Sequence, residues 1–413
     1  MKIPRCKGAK DLTTQEMNRF RHAESVFHSC CSSWGYGEIR TPTLEYLHLF
    51  TSAGTLSPEM LGRVYSFLDW DGWSGERVVL RPDGTIPAAR LYVENMPDKP
   101  LSRLFYVENM FSFEGTGEQS RERWQCGVEL IGGAEPDGDS ELIMLALEIM
   151  GKLGIGPVNL ELSHMGFLKA LSHDLGFEGE EGFQNLKQIL TDDAALSTLD
   201  KPAEVKRFLK LLSDLKGKKA GFLGNLKGML PEDLSATRPY LDSMTQITGL
   251  LDSIGQEYWI DFTPTESFEY YTGMVFRFYC AGKLLGHGGR YDELIPLVGG
   301  KDIPASGFAL FMDNITPLVQ VPGDANRVLI SAESPETRGS QDILQVAAQL
   351  RKQGHIVEMD MGTGTSSRPQ ADRWLVTLKE TGETPLLHLL DKKTGAERKD
   401  ITPDELLSHL SSL

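Results

Sequence analysis

The hydrophobic period of this chain changes twice, and that change limits the folds open to it. From about residue 168 to 257 the apolar residues recur at helical spacing: Leu186, Ile189 and Leu190, then Val205, Phe208, Leu209 and Leu212, then Met244, Ile247, Leu250, Leu251 and Ile254. On either side the apolar runs are short and strand-like, at 103–107, 109–114 and 124–131 before the helical block and at 258–262 and 275–279 after it. A helical block set between strands predicts an α+β chain with a mainly helical insertion at about 168–257.

The flanks carry helices too. Met17, Phe20, Val26, Phe27, Cys30 and Trp34 predict an amphipathic helix over 15–34, broken at Gly35-Tyr36-Gly37. Leu142, Leu145, Ala146 and Ile149 predict another over 140–153. Residues 78–85 resemble a strand running into a turn, with a helix after it through Ala88, Ala89 and Leu91. The run from Gly286 to Gly289 is expected to be a turn, which Arg290 pins through Asp292 or Glu293.

At 413 residues the chain is too long for one core. Val321-Pro322-Gly323-Asp324 resembles a linker, so the expected domains are 1–320 and 326–413. The second has the order strand (328–331), helix (341–352), strand (356–359), strand (374–378), strand (386–389) and helix (404–410). This is a small α/β domain of βαβ type, with Gly354 placed to stop its first helix. Gly362-Thr363-Gly364-Thr365-Ser366-Ser367 is expected to be a loop within it, and Lys216–Lys219 a solvated face or loop in the insertion.

No run of 18 or more apolar residues is present, so no membrane span is expected, and no signal segment is apparent behind Met1. Five scattered cysteines without a C-x-x-C pair argue for reduced thiols, a cytoplasmic setting and no metal site, with Cys30 and Cys31 as core filler. A net charge of −16 repels a polyanion unless basic residues cluster. Lys392, Lys393, Arg398 and Lys399 lie close together, but acidic residues interleave, so no phosphate-tracking stripe forms and tRNA is not an expected partner.

Several short segments occur in a telling order. They are Gly8-Ala9-Lys10-Asp11-Leu12, Tyr36 to Pro42 with Glu45 and Phe50, Arg81-Pro82-Asp83-Gly84-Thr85, and Met110 to Glu114. Next come Arg121 to Gly132, Glu266 to Gly273, Gly288 to Leu294, and Pro304 to Asn314. This series resembles the histidyl-tRNA synthetase family of class II synthetases through most of the chain. The resemblance implies an antiparallel sheet flanked by helices, a dimer-interface element at 36–42, and a C-terminal domain like an anticodon-binding domain.

Against that family's pattern, three arginines are missing: Ser112, Glu266 and Asn314 stand in their places, and Phe311 replaces a glycine. Arginines give fixed, always-ionised, bidentate donors for the charge that develops at the α-phosphate. Loss of one such donor costs on the order of 10²–10³ in rate. The resemblance therefore implies a kept scaffold without adenylation, no catalytic residues and no cofactor.

The amino-acid pocket is better preserved. The resemblance places Asp83, Thr85, Arg121, Gln125, Glu129, Tyr270 and Tyr271 around a bound L-histidine. Acidic groups can hold an ammonium or an imidazole, and tyrosines can wall a ring. Plainer readings stand beside this one: Asp83 as a helix cap, Tyr270 and Tyr271 as strand aromatics, His164 as a structural histidine. Gln125 and Glu129 face one side of a strand together.

A kept pocket with lost adenylation, and the stretch Leu162 to Leu171, resemble the regulatory subunits of ATP phosphoribosyltransferase. That resemblance implies a role in the first step of histidine biosynthesis. It also implies a short-form catalytic subunit as partner, histidine as feedback effector, and a homodimer within a larger hetero-oligomer. The alternatives are a divergent histidine–tRNA ligase and a synthetase-like scaffold without a histidine role.

Overall fold

A computed structural model describes residues 3–52, 62–69, 75–113, 120–214, 223–263, 270–321, 327–334, 337, 339–360, 373–380 and 385–411. Glu114, Lys216–Lys219, Glu266 and its neighbours to Glu269, Pro322 to Asp324, and the glycine-rich stretch from Gly362 to Ser367 lie outside the described residues. The chain divides into two compact units, Met1–Gln320 and Val321–Leu413.

In the first unit α1 (Thr14–Ser33) leads into β1 (Gly37–Glu38), β2 (Leu44–Tyr46), α2 (Leu47–Ser52), β3 (Ser66–Asp69) and β4 (Glu76–Leu80). Then come α3 (Thr85–Asn95), β5 (Ser102–Phe111), β6 (Glu122–Ile131), α4 (Asp137–Lys152), β7 (Asn159–His164) and α5 (Met165–Asp174). The insertion continues through α6 (Gly179–Thr191), α7 (Asp193–Thr198), α8 (Ala203–Asp214), α9 (Leu223–Gly228) and α10 (Arg238–Ser253). The sheet resumes with β8 (Tyr258–Ile260), β9 (Met274–Cys280) and β10 (Lys283–Arg290). After these come α11 (Leu294–Leu297), β11 (Ala305–Phe311) and α12 (Met312–Ile315).

Eight strands form one sheet in the order β1-β5-β6-β11-β10-β9-β7-β8. The inner pairs run antiparallel, and the two edge pairs, β1 with β5 and β7 with β8, run parallel. The expected antiparallel sheet is thus a mixed one. Helices α5 to α10 lie in sequence between β7 and its edge partner β8. A separate three-stranded sheet has the order β2-β4-β3.

Local chemistry starts and stops these elements. Thr13 and Glu16 form a capping box: the Thr13 hydroxyl accepts from the Glu16 N–H at 3.4 Å and the Glu16 carboxylate accepts from the Thr13 N–H at 2.8 Å. Helix α1 then buries Phe20, Ala23, Phe27, Cys30 and Cys31, so the two cysteines are core filler. Gly35, at φ +81°, turns the chain where few other residues could. His164 is a structural histidine: its Nδ1 accepts from the Phe167 N–H at 3.3 Å at the start of α5, and its Nε2 lies 3.1 Å from Glu135.

One expectation fails. Gly286 to Gly289 is not a turn but part of β10, paired on both sides with β9 and β11. Glycine is needed there for room: a Cβ on Gly288 would lie 2.4 Å from the Gly307 carbonyl oxygen, and one on Gly289 2.6 Å from that of Met274. Arg290 likewise does more than pin a turn. It is buried and bonds Asp139 of α4 and the Gly133 carbonyl as well as Asp292.

The second unit holds β12 (Arg327–Ala332), α13 (Gln341–Lys352), β13 (Ile356–Met359), β14 (Trp374–Glu380), β15 (Leu386–Asp391), β16 (Glu397–Ile401) and α14 (Pro403–Ser411). Its sheet has the order β13-β12-β14-β15-β16, with β12-α13-β13 as a parallel βαβ unit. Ile343, Val346, Ala347 and Leu350 of α13 pack with Val328, Ile330, Val376 and Leu389 in its core. Gly354 follows α13 at φ +89°.

Candidate functional site

Across the large sheet, paired residues share a face, and one row of them defines a floor. His287 of β10 pairs with Ala309 of β11, Ala309 with Gly127 of β6, and Gly127 with Tyr106 of β5. The adjacent row runs Gly289, Gly307, Glu129. The middle of this floor is cleared of side chains because the walls lean over it. A Cβ on Gly127 would lie 2.0 Å from the Tyr106 ring, and one on Gly307 2.3 Å from the Glu129 carboxylate. Any residue larger than glycine at these two places would displace the groups that form the site.

Glu129 is the centre of the wall. It is buried and accepts hydrogen bonds from the Tyr106 hydroxyl at 3.2 Å and from the Tyr291 hydroxyl. Thr85 also hydrogen-bonds Glu129 and Tyr106. Gln125 donates its amide to the Tyr106 hydroxyl at 3.2 Å. Burial pushes the Glu129 carboxyl up to about 8, against the pull of the Tyr291 bond and with help from the charge of Asp83. At neutral pH Glu129 is therefore largely protonated, and a cationic ligand would have to expel that proton.

Asp83 carries two roles at once. Its carboxylate accepts from the Ile86 N–H at 2.9 Å, which caps α3. Its charge is also felt by Tyr106, Glu129, Tyr270 and Tyr271, which places it at the same site. Burial raises its own carboxyl while the Ile86, Gly84 and Thr85 N–H groups hold it down.

The paired tyrosines close the other side. The Tyr270 and Tyr271 ring centroids lie 4.6 Å apart, Tyr270 and Tyr291 5.7 Å apart. The Tyr271 hydroxyl lies 3.0 Å from His287 Nδ1. His287 in turn meets the Phe311 ring edge-on at 5.4 Å. Burial and the nearby Arg277 charge lower the His287 imidazole to about 4, so it stays neutral.

Six of the seven residues singled out from the sequence thus come together: Asp83, Thr85, Gln125, Glu129, Tyr270 and Tyr271. Arg121 has its guanidinium over the Phe113 ring at 4.7 Å. The sequence reading missed Tyr106, His287 and Tyr291. Strand register was the signal that could have found Tyr106, since it faces Gly127. Among the described residues, no cluster of His, Cys, Asp and Glu is arranged to hold a metal ion, and no helix is long and apolar enough to cross a membrane.

Two replaced arginine positions are described. Asn314, on α12, donates its side-chain amide to the Leu284 carbonyl at 2.8 Å. Ser112 follows β5, where its N–H bonds the Arg121 carbonyl at 3.0 Å.

The histidyl-tRNA synthetase family model matches residues 8–315. An ATP phosphoribosyltransferase regulatory subunit of Dehalococcoides mccartyi is 44% identical over 400 residues, covering 95% of each chain. A histidine–tRNA ligase of Methanosarcina acetivorans is 33% identical over 429 residues, covering 100% of this chain and 99% of that one. Among solved structures, an ATP phosphoribosyltransferase regulatory subunit/histidyl-tRNA synthetase from Bacillus halodurans C superposes with a TM-score of 0.76 at 24% identity, over 92% of this chain and 100% of that one. The apo histidyl-tRNA synthetase of S. aureus superposes with a TM-score of 0.68 at 20% identity, over the whole of both chains. These two share the fold. The chain belongs to the histidyl-tRNA synthetase family and, within it, to the regulatory subunits of ATP phosphoribosyltransferase.

Proposed function

We propose that this chain is a non-catalytic regulatory subunit that binds L-histidine as a feedback effector and activates a short-form catalytic subunit in the first step of histidine biosynthesis. The observation that carries this is the use of Asn314. Where the family resemblance expects a guanidinium for ATP, this chain has an amide tied to the backbone of β10. Phe311, in place of a glycine, packs against His287. What remains is a site where buried carboxyls and tyrosine hydroxyls meet, suited to an amino acid rather than to a nucleotide.

In this reading Asp83, Thr85, Gln125, Glu129, Tyr270 and Tyr271 line the histidine pocket, with Arg121 at its margin. The chain works in the cytoplasm, as a homodimer within a larger hetero-oligomer. Its core spans 1–320. The C-terminal unit, built like an anticodon-binding domain, serves packing or partner contact rather than tRNA.

The test is ATP phosphoribosyltransferase activity of the short catalytic subunit from the same source, alone, with this chain, and with this chain plus histidine. Activation that histidine reverses supports the proposal; no effect from folded protein ends it. The 33% identity to a histidine–tRNA ligase keeps a second reading in view, and histidine-dependent pyrophosphate exchange would favour that one.

A further inference from the structure

The floor of the cleft is cleared of side chains at Gly127, Gly289 and Gly307, yet β10 sends one large side chain onto it. That side chain is an imidazole. His287 is half-buried and lies in one row with Ala309, Gly127 and Tyr106, so it stands on the floor of the site. Its ring lies between two of the cleft's walls: the Tyr271 hydroxyl 3.0 Å from Nδ1, and the Phe311 ring 5.4 Å away at its edge.

The backbone is arranged to put it there. The pairing of β10 with β9 shifts register between Leu284 and Gly286, a bulge just before His287. Bulges re-aim the side chains that follow them. Asn314 fastens this one by donating to the Leu284 carbonyl.

We propose that His287 is a resident imidazole that occupies the ring subsite of the amino-acid pocket, so that a free imidazole-bearing ligand must displace it in order to bind. This rests on the histidine-pocket reading above. A hydroxyl that could receive the ligand's ring is engaged by the protein's own ring. The site is thereby set to respond only when free ligand is abundant, because the displaced side chain lowers apparent affinity by the fraction of time it stays in place. Neutrality suits this role. An imidazole lowered to about 4 stays neutral, so it shares a hydrogen bond with the Tyr271 hydroxyl at Nδ1 and carries no charge to pair with the carboxyls of the site.

The experiment is calorimetric titration of the full chain and its His287→Gly variant, first with free imidazole and then with L-histidine. The glycine variant is expected to bind imidazole at least tenfold more tightly than the wild type, because an imidazole-sized space opens beside Tyr271. No gain in a folded variant overturns the proposal. The two ligands separate it from the histidine reading. If the variant gains imidazole but neither protein binds L-histidine, the resident-ring proposal stands and the histidine reading falls. If the wild type binds L-histidine and the variant gains nothing for imidazole, the reverse holds. Should the glycine variant not fold, nitrogen-15 NMR of His287 in the wild type serves instead. Saturating L-histidine should then move its Nδ1 resonance away from the hydrogen-bonded position; an unmoved resonance with ligand bound overturns the proposal.

Discussion

Arg290 holds Asp139 with two nitrogens, Nε at 3.2 Å and Nη2 at 2.9 Å, and both side chains are almost wholly buried. The pair ties β10 to α4, and the next residue along, Tyr291, donates to Glu129. The site's central carboxyl therefore depends on an ion pair behind the sheet. Removing one partner leaves a buried charge uncompensated, which costs about 3–5 kcal/mol. Arg290→Ala is expected to lower the free energy of unfolding, read from chemical denaturation, by that amount, and a change under about 1 kcal/mol would show the pair to be dispensable.

Glu129 gives the protein a pH signature. Its folded value of about 8 lies above its ordinary 4.5. The stability that this carboxyl contributes is whole below about 4.5 and is lost as pH rises through about 8. Wild type should therefore lose stability as pH rises from about 4.5 to about 8, and Glu129→Gln should lose less between pH 6 and pH 9. Parallel denaturation curves for the two proteins at pH 6 and pH 9 are the check; equal losses would contradict it.

The two roles of Asp83 can be pulled apart. Asp83→Asn keeps an oxygen for the Ile86 N–H and should leave stability within a few tenths of a kcal/mol, while Asp83→Ala should cost ~1 kcal/mol. Both should weaken L-histidine binding about equally, since both remove the charge near Tyr271. Full affinity in the asparagine variant would confine Asp83 to the cap.

Restoring single arginines should not restore adenylation. Asn314→Arg loses the bond to the Leu284 carbonyl, at about 0.5–1.5 kcal/mol, and leaves Phe311 and His287 in place. Histidine-dependent pyrophosphate exchange should stay at background in Asn314→Arg and in Ser112→Arg/Asn314→Arg. Exchange above background in either would show that the missing guanidiniums alone silence the site.

Much of the architecture was legible because apolar spacing reports burial directly. The face of α1 at Phe20, Phe27 and Cys30 and that of α13 at Ile343, Val346 and Leu350 stand out in the sequence by their helical spacing. Strand β16 was not: its sequence Glu397 to Ile401 is mostly charged and exposed at a sheet edge, so it gives no apolar signal. The glycines of β10 resembled a turn because glycine marks turns and close strand contacts alike. Within the site, residues tied to a family motif were found. Tyr106 and His287 were not, because their place depends on which strands lie side by side. That register links residues far apart in sequence, such as His287 and Tyr106, and no local pattern carries it.

The bulge at Leu284–Gly286 separates the two ends of β10. The extra residue is absorbed before His287, whose pairs with Arg277 and Ala309 are those of a regular ladder. A lineage could therefore lengthen or shorten the β9–β10 hairpin by one residue while the imidazole and the glycine floor keep their places.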